Sequence, residues 1–305
     1  MPLAPAPARN LITTTKTPPF WPANTPRWLL SFLPWVEVGA GVYRINRVTE
    51  PAQVVVDYDL DAPNPLTEVS YEDTPPEIEL ASVETNVQVY TRVADLYSRP
   101  FDQLQQQLRL AVQQIKERKE RELLVHPRFG LLTVAAPEMR LTAGGPPTPD
   151  DLDNLLALVW KLPAFFVAHP RAIAAFARDC NERGLTLATV QLFGVPFLTW
   201  RGVPIVPSDK VPVTEGHAEG AEAAGGGGPG RPGGTSSILL MRVGEEQQGV
   251  VGLHQSGIGT ADLPSLAVRF MGINEANIAR YQLVCYFGAA VIVDDALGVL
   301  EGVAV

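Results

Sequence analysis

SRPFDQLQQQLRLAVQQIKERKERELL, residues 98–124, carries the longest helical pattern in the chain. Ser98 is placed to serve as N-cap, and Pro100 is tolerated in a first turn, where an N–H would lack an intrahelical partner anyway. Leu104, Leu108, Val112 and Ile115 fall at i, i+4, i+8 and i+11, along one face of a 3.6-residue period. At about 1.5 Å per residue such a helix spans roughly 35–40 Å. Its far end, Lys116–Glu122, mixes charges of both signs at i,i+3 and i,i+4 spacings. That is the pattern of a solvated or interfacial helix end, an ordinary surface end being the simpler reading.

Downstream, Thr148 is placed to cap a second helix, with Pro149 at N1 and Asp150 and Asp151 in the first turn, where negative charge complements the helix dipole. Its apolar face is Leu152, Leu155, Leu156, Val159 and Trp160. A third helix begins near Pro170, runs through Ile173 and Phe176, and stops at Gly184. From about residue 187 the pattern turns to strands: Thr199–Val206, Ile238–Val243, Gly249–Leu253 and Leu266–Met271, broken by turns such as Arg201–Gly202 and Gly244–Glu245. Residues 278–293 fit either a helix or a long strand. Residues 214–236, centred on Gly225–Gly228, are of low complexity and read as a flexible loop. Strand-like sequence flanks that loop on both sides, which makes it an insertion within one domain.

Upstream, residues 41–60 alternate as strands do, with Val42, Arg44, Asn46 and Val48 opposed to Tyr43, Ile45 and Arg47, and Val54–Val56 following. Residues 61–76 are rich in Pro, Asp and Glu and read as a long exposed loop. Together they suggest a projecting two-stranded arm, which needs a partner surface because a lone hairpin is marginal in water. Residues 1–26 hold seven prolines and a threonine run, Thr13–Thr15, and cannot fold alone. Trp28, Leu29, Leu30, Phe32, Leu33 and Trp35 are too apolar to be left in water. An arm leading into an aromatic anchor favours an intersubunit strap over a plain tail followed by a short core helix.

The 305 residues suffice for one large domain or two small ones, and 46% hydrophobic with 19% charged residues is an ordinary globular balance. A formal net charge of −9 gives no counterion-release term with DNA, which disfavours nucleic acid as a partner. The densest basic run, Lys116–Arg121, is interleaved with Glu117 and Glu120. Cys180 and Cys285 belong to no CxxC pair and read as core thiols of a reducing cytosol. MPLAPAPARN has no apolar h-region, and the longest apolar run, 283–293, falls well short of the roughly 20 residues of a membrane helix. The expectation is a soluble cytoplasmic protein with no membrane partner.

His126 and His169 precede prolines, His217 lies in the Gly-rich loop and His254 ends a predicted strand, with no HxxxH, HExxH or Cys/His spacing for a metal. There is no GxSxG elbow. Gly225–Gly234 lacks the lysine of a phosphate loop and leads into no helix. Of the carboxylate pairs, Asp150–Asp151 reads as helix capping and Glu245–Glu246 as a turn. Asp294–Asp295 reads as a buried polar pair or an interface contact, and nothing supplies a partner for general acid–base work. No catalytic, cofactor-binding or metal residue is assigned, and the residues argue against an enzyme.

The chain resembles the shell proteins of family 2 encapsulins nearly end to end. The matching segments run in one order: TKT around Lys16, TPRWLL from Thr25, LPWVEV from Leu33, GVYRINR from Gly41, TRVADLYS from Thr91, QQLRL from Gln106 and IKER from Ile115. They continue with PTPDDLD from Pro147, HPRAIAAFAR from His169, TWRGVPIVPSDKVPV from Thr199, GEEQQGVVGL from Gly244, VRFMGIN from Val268 and DDALGVLEGVAV from Asp294. The resemblance implies an α+β fold of the HK97 phage-capsid type. Residues 1–40 would be the N-terminal arm and anchor, 41–86 the E-loop strand pair, and 87–149 the P-domain with its spine helix. Residues 150–305 would form the A-domain and strands returning to the P-domain, with the Gly-rich loop at 214–236. The family implies self-assembly into a T=1 icosahedral shell of 60 copies around a cargo enzyme. No segment is long enough for the cyclic-nucleotide-binding domain that one subgroup carries. The chain therefore resembles the 2A-type subgroup, whose commonest cargo is a cysteine desulfurase and whose suggested role is sulfur storage. A xylulose kinase or a terpenoid-pathway enzyme are other cargo types. The Gly-rich loop after Val213 and the end soon after GVAV depart from the family pattern. A prophage-type major capsid protein would share the fold, because fold does not fix function.

Overall fold

The computed structural model describes residues 25–50, 52, 68–90, 103–215, 234–260 and 263–305. Residues 1–24, Val54–Val56, the first part of the 61–76 loop (61–67), Ser98, Pro100 and most of the 214–236 loop lie outside the described residues.

In chain order the elements begin with α1 (Trp28–Phe32), β1 (Trp35–Val38), β2 (Val42–Arg44), β3 (Val48–Glu50), β4 (Ser70–Tyr71), β5 (Glu77–Glu79) and β6 (Ala81–Tyr90). The long helix α2 (Gln103–Val125), α3 (Leu131–Val134), β7 (Arg140–Thr142), α4 (Pro149–Leu158), β8 (Phe165–Ala168) and α5 (Pro170–Glu182) follow. Then come β9 (Ala188–Leu192), β10 (Val195–Trp200), β11 (Val203–Pro207), β12 (Thr214–Glu215), β13 (Gly234–Met241) and β14 (Val250–Gln255). The chain closes with β15 (Gly259–Thr260), β16 (Leu263–Pro264), β17 (Leu266–Ile273), β18 (Ile278–Val291) and β19 (Leu297–Ala304).

Two large sheets organise these elements. An eight-stranded mixed sheet runs β7-β19-β13-β8-β11-β10-β9, with β12 added on β13. Its side chains alternate between two cores, as the two-residue strand period requires. Phe166 and Ala168 of β8, with Ile238 and Leu240 of β13, meet Leu152 and Leu155 of α4 and Ala172 and Phe176 of α5. Phe165, Val167, Leu239 and Met241 face the other way, toward α1 and the end of α2. Gly298 of β19 lets α4 lie close, since a Cβ there would stand 2.8 Å from Leu155 Cδ1.

The second sheet has five strands, β1-β14-β18-β17 with β6 on the other side of β18. Leu283 and Cys285 of β18 and Leu266 of β17 pack on Ala111 and Ile115 of α2, with Leu108 and Val112 beside them. The apolar stripe read from the sequence is therefore the face that α2 lays on this sheet. Two small ladders, β2 with β5 and β3 with β4, form the expected two-stranded arm.

Thr148 and Asp151 form a reciprocal capping box at the start of α4, and α5 begins on the cap His169. Of the two readings left open for residues 278–293, the long strand is the one formed, over Ile278–Val291, with β6, β14 and β17 flanking both edges. Two expectations are corrected. Trp160 is not on the apolar face of α4: the helix ends at Leu158 and the indole stands 70% exposed. The aromatic anchor is a core helix of its own chain, with Leu29 and Leu33 fully enclosed and Trp28 stacked on Phe193 and edge-on to Phe197.

Candidate functional site: a buried charge cluster and unfinished apolar edges

The run Lys116–Glu122 overturns the expected surface helix end. Glu117, Lys119 and Glu120 are all buried, because the end of α2 is inserted between α1, the eight-stranded sheet and the five-stranded one. Charges placed there must find partners, since an unpaired ion out of water is strongly unfavourable.

Glu117 is saturated. Its Oε1 accepts from the backbone N–H of Thr25 at 2.9 Å and from Arg27 Nη1 at 2.7 Å. Its Oε2 accepts from Thr25 Oγ1 at 3.2 Å and pairs with Lys210 Nζ at 2.5 Å. Burial works to raise its pKa, but the bonds from Lys210, Thr25 and Arg27 outweigh burial and hold the carboxyl below its usual value. Arg27 also donates to Gln113 Oε1 at 2.6 Å, and its backbone sits at φ +54°, a left-handed conformation that costs about 1–2 kcal/mol in a non-glycine residue. Two anchored guanidinium contacts keep it there. Lys210, in the turn after β11, reaches Asp209 as well, at 2.5 Å.

Glu120 receives Leu29 N–H at 3.1 Å and Ser208 Oγ at 3.4 Å, both on Oε1, while Oε2 is buried without a partner among the described residues. The Leu29 bond serves a donor at the start of α1 that the helix itself leaves unsatisfied. Burial, only partly offset by the bond from Leu29, pushes Glu120 up to about 7. One face of α2 thus clamps α1 and the β11 turn through two glutamates of opposite character, Glu117 with its pKa lowered by its partners and Glu120 with its pKa raised by burial.

The arm is fastened at its base. Tyr43 donates to Glu245 at 2.8 Å, Arg44 pairs with Glu77 at 2.5 Å, and Arg47 with Asp294 at 3.1 Å. Burial and then the bond to Glu245 push Tyr43 up to about 12. Asp295 pairs with Arg242 at 2.6 Å and Lys161 at 2.5 Å. The Asp294–Asp295 pair is therefore structural, Asp294 held by Arg47 and Asp295 by both Arg242 and Lys161.

Apolar side chains are left without cover elsewhere. On the edge strand β17, Val268, Phe270, Met271 and Ile273 are each about half exposed. The arm adds Val42, Val48, Val69 and Tyr71, and Trp160 and Leu162 stand out on either side of Lys161. Contiguous exposed apolar surface on a sheet edge marks a protein–protein contact. His126, His169 and His254 lie on separate elements, and among the described residues no group of three or more His, Cys, Asp or Glu gathers as a metal site. Burial raises both thiols, Cys180 and Cys285.

The same fold occurs among capsid proteins. The capsid protein of a native GTA particle superposes with a TM-score of 0.60 at 11% identity, covering 95% of this chain and 94% of that one, which shows the fold alone. The chain of the cryo-electron-microscopy structure of the holo-SrpI encapsulin complex from Synechococcus elongatus matches with a TM-score of 0.79 and 46% identity, over 99% of this chain and 96% of that chain. A type 2A encapsulin shell protein of Mycolicibacterium paratuberculosis is 49% identical over 303 residues, 98% of this chain and 93% of the relative. These likenesses define a shell subunit of the HK97 capsid type. The model of the family described as type 2A encapsulin shell protein SrpI-like matches residues 46–305, and the chain belongs to that family. It is a structural subunit that assembles into a compartment shell, not an enzyme.

The charge cluster was missed from sequence because its members are remote. Glu117 and Glu120 share a helix face, but Arg27 and Lys210 lie about ninety residues away on either side. The signal that could have found it is that Arg27, Glu117 and Lys210 each fall inside a segment of the family resemblance, TPRWLL, IKER and TWRGVPIVPSDKVPV.

Proposed function

We propose that 60 copies of this chain close into a T=1 icosahedral shell in the cytoplasm around a cysteine desulfurase, making a sulfur-storing compartment. The observation that carries this reading is the match to a type 2A shell protein along 98% of the chain, which leaves no length for an inserted ligand-binding domain. The unfinished edges supply the heterologous contacts that a closed shell requires. Within the subunit we assign residues 1–40 to the N-terminal arm and anchor, 41–86 to the E-loop, 87–149 to the P-domain and 150–305 to the A-domain with strands returning to the P-domain. The test is purification of native particles from the source cells, with symmetry and copy number from cryo-electron microscopy and contents from mass spectrometry. Sixty-subunit particles carrying a cysteine desulfurase are expected. A different copy number overturns the T=1 reading, and a xylulose kinase or a terpenoid-pathway enzyme inside overturns the sulfur reading while leaving the shell.

A further inference from the structure

We propose that the cavity between α1, α2 and the five-stranded sheet binds a small organic monocarboxylate with an apolar body, its carboxylate held by the Lys119 ammonium. The cavity has a volume of about 360 Å³, at the small end of the range for ligand sites. Its walls are mostly apolar: Leu30 from α1, Trp35 from β1, Val112 and Ile115 from α2, and Leu266 from β17. Ser31 and Cys285 add a hydroxyl and a thiol.

Lys119 opens into this space. The residue is 7% exposed, and its Nζ lies 3.7 Å from the centre of the Trp35 ring. That ring is fixed: its Nε1 donates to the Leu30 carbonyl at 3.0 Å, and it stands so close to Gly252 that a Cβ there would lie 2.7 Å from Cε3. Cation–π attraction accounts for one side of the ammonium. Among the described residues no carboxylate or carbonyl accepts from it. On the same helix, Glu117 has both oxygens committed to Thr25, Arg27 and Lys210, and Glu120 turns to Leu29 and Ser208. Lys116 and Arg27 also line the cavity, the Arg27 guanidinium being committed to Glu117 and Gln113.

A buried cation with an empty acceptor side calls for an anion, and the walls require that the rest of the ligand be apolar. One uncompensated ammonium matches one carboxylate. A phosphate or a dicarboxylate would place a second charge against leucine, valine and tryptophan.

The experiment uses assembled full-length particles and octanoate as probe, read by calorimetry and by tryptophan fluorescence. Octan-1-ol and octylamine, with the same tail but neutral and cationic heads, are the controls. Saturable binding of one octanoate per subunit is expected, at least tenfold tighter than octanol, with octylamine not binding. Lys119→Gln should weaken octanoate at least tenfold, while Lys119→Arg keeps most of the affinity. Equal affinity for octanoate and octanol, no saturable octanoate binding, or unchanged binding to a folded Lys119→Gln shell each overturns the proposal. Should Lys119→Gln fail to assemble, the ranking of the three probes on the unmodified shell decides.

Discussion

The two large sheets of this subunit are built from similar residues and end in different states. The eight-stranded sheet is enclosed on both faces along its central strands, and all four residues of β8 are buried. The five-stranded sheet is finished where α2 lies on it, yet along its edge strand β17 four large apolar side chains face outward. One sheet completes its core within the chain and the other completes it with neighbours. Folding information and assembly information are thus written in separate places, with the α2 clamp between them.

That separation can be broken from either side. The largest loss is expected for Phe166→Ala in the two-faced sheet, about 4 kcal/mol from lost burial plus the cavity left behind, seen as insoluble or unfolded subunit by circular dichroism. Lys210→Met removes one of the two cations that pair with Glu117, and breaking such a buried pair costs about 3 kcal/mol, measurable as a lowered denaturation midpoint.

Glu120→Gln sharpens the comparison through pH. Glu120 holds its proton more tightly in the folded chain than in the unfolded one, so its contribution to stability falls as pH rises from the ordinary glutamate value toward about 7. Thermal unfolding between pH 5 and 8 should show that decline in the unmodified protein and a flatter profile in the variant; identical profiles would remove Glu120 from the clamp. Glu117 works in the opposite direction, its contribution being lost only as pH falls below the ordinary glutamate range. The smallest effect on the subunit, within about 0.5 kcal/mol, is expected for Phe270→Ser on β17. Electron microscopy should nonetheless show particle formation failing, and intact shells would show that the edge is not a contact.

Much of this architecture was legible in the residues. The stripe Leu108, Val112, Ile115 gave α2 its buried face, and Thr148, Pro149 and Asp151 gave α4 its start, because periodicity and capping are local. The long strand β18 was ambiguous because it is apolar on both faces over much of its length, which erases the two-residue alternation that would distinguish it from a helix. The clamp was illegible for a different reason. A glutamate that meets lysine through i,i+4 spacing and one that meets it across the fold look alike in sequence, and only the placement of Arg27 and Lys210 tells them apart. The anchor was misread outward for the same cause, since the aromatic surface that receives it, Phe193 and Phe197, lies far along the chain.

The length of β18 has a mechanical consequence. Fourteen residues rise roughly 46 Å, and along that span the strand bonds β6 on one side and β17 then β14 on the other. A pull along its axis loads those ladders in shear, so many hydrogen bonds must yield together. The β2–β5 ladder of the arm has three residue pairs and can peel one pair at a time. Under tension the subunit would therefore give way at its projecting arm long before its central strand parts, a beam with a compliant tip.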